Sequence, residues 1–289
     1  MTELAGSDAA TRGPAGAPRA GRNLPIAIAV GLALLAVVAG SLLWRKELFL
    51  LLAVLACGAA LWELAQAFRR RGIHLPVLPL LVGTVGILVS SYTAGSEALV
   101  VAFMLTAGGV VVWRVLDGSG PAALRDAAAA TFAAAYVPFM GGFVMLMLAE
   151  PDGARRVGLF ILLAVSNDVG GYVAGVLAGR HPLAPSVSPK KSWEGLAGSL
   201  LLASVIGAVG MVWAFQASPL VGVAIGVAAV LTATLGDLAE SLIKRDLELK
   251  DMGSLLPGHG GVLDRLDSML LTAPLVYLVL LVALPVVGD

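Results

Sequence analysis

Asp237, Asp264 and Asp267 are the residues of this chain best suited to hold a hard divalent cation. Asp264 and Asp267 stand at i and i+3 on the opening turn of an apolar run, so a helix there could present both carboxylates to one point. Asp237 lies a turn or two inside a second apolar run, and Ser241 and Lys244 follow it at i+4 and i+7 on the same helical face, with Glu240 beside them. Mg2+ takes oxygen ligands and commonly binds through one or two carboxylates plus substrate phosphates. Lys244 and Arg245 would then neutralise phosphate, the arginine in bidentate fashion. Capping of the last helix is the competing account of Asp264, Arg265 and Asp267. It covers one aspartate comfortably and does not cover Asp237.

Two further stretches carry polar groups. Ser188-Pro-Lys190-Lys191-Ser192 puts two cations and two hydroxyls just before a new helix, whose free amide donors suit phosphate. A basic loop that only sets orientation explains the same run. Ser166-Asn167-Asp168-Val-Gly170-Gly171-Tyr172 falls in the middle of an apolar segment, as a local break or as a helix lining a wet cavity. His259 sits in the run Gly258-His-Gly260-Gly261, where it could aid a proton or orient a leaving group, or serve as a loop hydrogen-bond partner. Glu63 lies near a helix end and is expected to reach the interface. His74 is expected at the interface beside three arginines, and Cys57 in the core. Gly108-Gly109 and Gly141-Gly142 are expected as close-packing points between helices.

The elements that must position these residues are membrane helices. Of 289 residues, 58% are hydrophobic and 13% charged, and mean hydropathy is +0.93. An ordinary soluble domain is about 25% charged. Lys+Arg and Asp+Glu are equal at 19 each, which leaves no basic excess for a nucleic-acid backbone. One cysteine excludes an internal disulfide framework and a cysteine zinc site. An all-α polytopic bundle fits, with nine spans at roughly 24–44, 48–68, 75–92, 98–116, 127–149, 157–179, 196–216, 219–243 and 266–287. Residues 1–23 read as a disordered cytoplasmic tail, 24–150 as an N-terminal bundle of five helices, and 151–289 as a catalytic bundle of four. With the N-terminus inside, 15 of the 19 basic residues fall on the cytoplasmic side. That places the C-terminus outside and the polar cluster at the cytoplasmic face.

The run from Ser241-Leu-Ile-Lys244-Arg245 through Lys250-Asp251 and Leu256-Pro-Gly-His259-Gly-Gly-Val-Leu-Asp264-Arg265-Leu-Asp267 resembles the signature of the phosphatidate cytidylyltransferases, or CDP-diacylglycerol synthases. Ser188-Pro-Lys-Lys-Ser192-Trp-Glu-Gly195 is similar to the family's second motif, with Ser192 where a threonine is common. Asn167-Asp168 with Tyr172 and Gly175 also resembles its pattern. The resemblance covers about 160–270. It implies an integral membrane enzyme that joins CTP to phosphatidic acid, giving CDP-diacylglycerol and pyrophosphate. It further implies Mg2+ dependence, a homodimer and a multi-pass place in the cell inner membrane.

The resemblance implies metal at Asp237, Asp264 and Asp267 and substrate phosphate at Lys244; a mechanism consistent with it and with the residue chemistry takes Lys244, Asp264 and His259 as the catalytic group. Lys190, Lys191, Ser188, Ser241, Lys244, Arg245, Arg265 and Asp168 would contact substrate, with Asp168 assigned to cytidine or a second cation. Three rivals remain at this stage: a secondary transporter, a CTP-using enzyme acting on an isoprenoid lipid phosphate or polyprenol, and a non-catalytic membrane scaffold. The polar cluster at the cytoplasmic ends of three helices speaks against a transporter, whose polar groups usually lie near the midplane.

Overall fold

The computed structural model describes residues 24–256 and 260–284. The expected tail, residues 1–23, and His259 lie outside them. The chain runs α1 (Leu24–Trp44), α2 (Lys46–Arg69), α3 (Val77–Asp117), α4 (Pro121–Ala134), a π-helical turn (Ala135–Phe139), α5 (Met140–Ala149) and α6 (Gly153–Ala178). A short antiparallel hairpin, β1 (Pro182–Ala184) and β2 (Ser188–Ser192), leads into α7 (Trp193–Phe215), α8 (Pro219–Asp246) and α9 (Leu263–Ala283). Apart from that hairpin the fold is all-α, as composition requires. Leucine, alanine and valine fill the segments, and in a bilayer only a helix satisfies every backbone donor and acceptor within one segment. The chain is a multi-pass membrane protein.

Seven helical stretches among the described residues are long and apolar enough to cross a membrane, and Ala29–Trp44 is a shorter apolar helix. The expectation was nine. The difference arises largely in α3, where the expected spans 75–92 and 98–116 form one 41-residue element. A straight helix of that length would reach about 60 Å, twice the hydrocarbon thickness. It does not run straight. Gly95 takes φ 82° and ψ −165°, a region open essentially to glycine. The two arms then fold back together, so that a methyl group on Gly83 would lie 2.2 Å from Thr106 Cγ2.

The larger of two apolar clusters runs through both halves of the chain. Leu61, Leu64, Leu80 and Met147 from the first half belong to the same buried cluster as Phe160, Leu163, Val230 and Val276 from the second. Around the site the helices close on small residues. A Cβ on Gly170 would stand 2.6 Å from the Gly198 carbonyl oxygen, and one on Gly207 2.1 Å from that of Gly222. These contacts draw α6, α7 and α8 together backbone to backbone. Of the glycine pairs expected to do this, Gly141-Gly142 abuts Cys57 and Leu99, whereas Gly108-Gly109 faces open space. Those two glycines lie on the apolar second arm of α3, where Leu105, Val111 and Val112 are exposed.

Ionic contacts tie the ends of the bundle. At one end Arg156 pairs with Asp152 at 2.6 Å, and Lys46 donates to the carbonyls of Glu150 and Pro151. At the other, the site end, Arg114 pairs with Asp126 at 2.9 Å and Asp126 accepts the His74 amide at 3.1 Å.

Candidate active site

The site lies where the C-terminal halves of α6 and α8, the hairpin and the first turns of α9 meet. Ser166 donates back to the Leu162 carbonyl at 2.6 Å and α6 is continuous, so Asn167-Asp168 lines a cavity and does not break the helix. Ser199 of α7 donates to the Asn167 carbonyl at 2.6 Å, and Asn167 donates to Asp168 at 3.2 Å. This chain of contacts fixes Asp168 on the cavity wall.

Lys190 and Lys191 sit on β2, a strand where the sequence reads as a loop. Two anchors hold the strand against α7. Ser192 caps α7 by accepting the Gly195 amide at 3.1 Å. Glu194 accepts the amides of Arg180 and His181 at 3.1 and 3.3 Å and meets the His181 ring at 2.5 Å. Arg245 donates to the Val187 carbonyl at 2.5 Å, which binds the hairpin turn to α8. Lys191 thereby reaches Asp237 and forms an ion pair with it. The cavity, about 320 Å³ and open to the outside, is lined by Asp168, Ser188, Lys190, Lys191, Thr234 and Asp237, with Asn167 and Tyr172 beside them.

A second cluster adjoins it. Lys244 donates to Glu240 at 2.8 Å and to Asp264 at 3.1 Å. Asp264 also accepts the amides of Met252 and Gly261, at 3.1 and 2.9 Å, so it shapes the loop before α9. Asp267 accepts the Ser268 amide at 2.7 Å. Its carboxyl lies within hydrogen-bonding reach of Glu240, and the Asp237 charge faces it. Glu240 is fully buried, and its Oε1 receives no hydrogen bond from the described residues. Arg265 is exposed on α9 and its charge acts on Asp168. Ser241 is half-buried one residue beyond Glu240.

The three aspartates expected to hold metal are thus neighbours with different company. Asp237 has Lys191, Asp264 has Lys244 and two amides, and Asp267 has Glu240. Among the described residues no three His, Cys, Asp or Glu groups close into a ligand set for a metal ion. The donors nevertheless fit Mg2+ chemically. They are carboxylate oxygens, and Glu240 Oε1 is buried with no hydrogen-bond partner among the described residues.

Three acidic or phenolic groups were given no site role by the sequence reading. Glu240 is the centre of the cluster; its signal was an acid buried within an apolar helix. Tyr136 belongs to the π-helical turn, which also contains Pro138. It is 5% exposed, its hydroxyl has no hydrogen-bond partner among the described residues, and Glu240, Asp267 and Asp237 act on it. A proline inside an apolar helix was the available sign, since a π-turn absorbs such a residue and often marks a functional site. Glu63, expected at the interface, is 1% exposed and accepts the Leu263 amide at 3.0 Å. Nothing local in the sequence predicts that contact.

Comparison with known proteins bears on the family. The chain is 42% identical over 281 residues to a phosphatidate cytidylyltransferase of Mycobacterium leprae (strain TN), covering 91% of this chain and 89% of that protein. It is 37% identical over 278 residues to the Mycobacterium bovis protein of the same name, covering 91% and 90%. A more distant relative of that name, from Staphylococcus aureus (strain COL), is 30% identical over 238 residues, covering 80% of this chain and 90% of that protein. The model of the cytidylyltransferase family matches residues 25–283, and the chain belongs to that family.

Proposed function

We propose that this chain transfers the cytidylyl group of CTP to phosphatidic acid, giving CDP-diacylglycerol and pyrophosphate, at a site that faces the cytoplasm. One observation carries the assignment of the chemistry to this site: the lysines of β2 line one cavity with Asp168 of α6 and Asp237 of α8, and the α9 carboxyl of Asp267 faces Asp237 from the adjoining cluster. Both substrates are anions, so bringing them together is first a problem of charge. Lys191, with Lys190, Ser188 and Ser192, is placed to bind the triphosphate, and Asp168 to contact the cytidine. Lys244 is placed for the phosphate of the lipid, held upright between Glu240 and Asp264. Arg245 and Arg265 border the same opening.

A phosphatidate oxygen forms the new bond to the α-phosphorus of CTP, and the bond from that phosphorus to the bridging oxygen of pyrophosphate breaks. The nucleophile is already an anion, so no general base is required. Asp237 and Asp267, with Glu240 beside them, would hold Mg2+, and Asp264 would border it. A bound metal would supply Lewis-acid stabilisation of the phosphoryl oxygens. Lys191 and Lys244 neutralise the remaining charge, and the closed wall of α6, α7 and α8 keeps the reacting groups from dispersing. The lipid's acyl chains stay among the helices, while CTP enters from the side where the basic residues accumulate. The resemblance also supports a homodimer as the active unit.

Purified protein in detergent, given radiolabelled CTP and phosphatidate, should yield labelled lipid in a Mg2+-dependent manner. An isoprenoid phosphate offered as acceptor should yield none. Asp264→Asn should abolish labelling in a protein that still elutes as the wild type does on size exclusion. Unchanged turnover by that variant, or pyrophosphate release without lipid labelling, overturns the assignment.

A further inference from the structure

We infer that Glu63, on the second helix, is a positioning residue of the transferase site: it grips the loop before α9 from within and sets where Asp264 and Asp267 point. The inference rests on the reading of the site given above.

Glu63 lies one to two turns before the end of α2, far from the catalytic motifs in sequence, and it is 1% exposed. Burying a carboxylate is costly unless donors surround it. Here backbone amides meet Oε2, while Oε1 has no hydrogen-bond partner among the described residues. The Leu263 amide, the first of α9, donates to Glu63 Oε2 at 3.0 Å, and the amides of Leu255 and Val262 face the same carboxylate. Free amides at a helix start are natural partners for an anion. Ordinarily such an anion is a capping side chain of the same helix. At α9 the preceding residue, Val262, makes no side-chain cap, and the anion is borrowed from another helix.

Two glycines of the loop record how tightly it is wrapped. A Cβ on Gly253 would lie 2.0 Å from Glu63 Oε1 and 2.2 Å from its carboxyl carbon. One on Gly261 would lie 2.6 Å from Glu63 Oε2 and 2.8 Å from Asp264 Oδ2. Gly253 does not adopt a positive φ. Space beside Glu63 therefore accounts for glycine at this position, and backbone conformation does not. The loop thus lies between two carboxylates. Glu63 holds Leu263 and packs on Gly253 and Gly261, while Asp264 holds Met252 and Gly261 and passes the arrangement on to Lys244. Shifting Glu63 shifts the strap that orients Asp264. The nucleotide-lining residues of α6, α7 and β2 do not touch it.

The expected signature is therefore a defect in turnover with nucleotide binding spared. Glu63→Gln keeps an oxygen for Leu263 but loses the charge. We expect kcat with phosphatidate to fall about tenfold while KM for CTP stays within about twofold. A compensation test adds a readout that general loss of packing would not produce. Gly253→Ala pushes a methyl into the Glu63 carboxyl, and Glu63→Asp withdraws that carboxyl by one methylene, about 1.5 Å. Each single variant should lose activity, and the double variant should exceed Gly253→Ala alone by about fivefold, the non-additivity of residues in contact. All variants are compared in full-length protein, in detergent with phosphatidate. Wild-type turnover in the same assay keeps the transferase reading separate: if wild type is inactive, that reading fails. With wild type active, normal kcat in Glu63→Gln, or a double variant no better than the product of the singles, overturns the role of Glu63.

Discussion

Two groups of buried charge at the site end of this bundle are built on opposite plans. In the first half of the chain, Asp126 is buried and matched: Arg114 pairs with it at 2.9 Å, Arg125 approaches to 3.9 Å, and the His74 amide fills another acceptor position. In the second half, Lys191 pairs with Asp237 and Lys244 serves both Glu240 and Asp264, while the Asp267 carboxyl lies against that of Glu240. A buried charge with its partner is a structural joint. Surplus buried acid is costly to the fold and persists where function uses it. The contrast separates a fastener from a reaction centre without reference to any motif.

The comparison can be broken experimentally. The largest effect is expected for Asp267→Asn, which removes the carboxyl facing Glu240. Lipid labelling from CTP should fall by about a thousandfold or more, with the melting temperature in detergent unchanged or raised, because surplus acid is relieved. A lowered melting temperature would place Asp267 with the fasteners. Lys244→Ala should lose about a hundredfold in kcat/KM, a loss that raising Mg2+ does not restore, since it takes away the shared partner of Glu240 and Asp264. Lys191→Ala should act mainly on nucleotide affinity, raising KM for CTP about tenfold, consistent with the loss of one charge-assisted contact. The matched joint should behave in the reverse way. Asp126→Asn should cost about 3–5 kcal/mol of stability, the range for breaking a buried pair, and leave the activity of the folded fraction within about twofold. The smallest effect is expected for Tyr136→Phe, about threefold in kcat, read against an unchanged melting temperature.

Helical spacing made the second cluster readable in advance. Asp237, Ser241 and Lys244 are one face by arithmetic alone, and Asp264 with Asp267 at i, i+3 need only a helix to be neighbours. The all-α architecture followed from apolar runs of sufficient length. What spacing could not reveal was everything carried by distant contact. Glu63 meets Leu263 across 200 residues, and Tyr136 reaches the acids of α8 and α9 from a π-turn whose register a regular 3.6-residue period misplaces. The Pro-Ser-Val-Ser-Pro-Lys stretch reads as a loop because its prolines and serines favour turns. Its first three residues do form the turn of the hairpin, tied to α8 by Arg245, but from Ser188 onward the chain pairs as a strand with Pro182–Ala184. The division of labour among the aspartates was equally hidden. Position in sequence gave them one role, and their different partners give them three environments.

The contact between Glu63 and the start of α9 also constrains how the molecule is made. A ribosome adding about 5–20 residues per second finishes α2 roughly 10–40 seconds before the chain supplies Leu263. Through that interval a carboxylate destined for complete enclosure has no amides to receive it. Its place near the end of α2 lets it wait in contact with water while six further helices are laid down. The last helix to emerge is then the one that closes the first half, so a nascent chain truncated before α9 should remain open at that end.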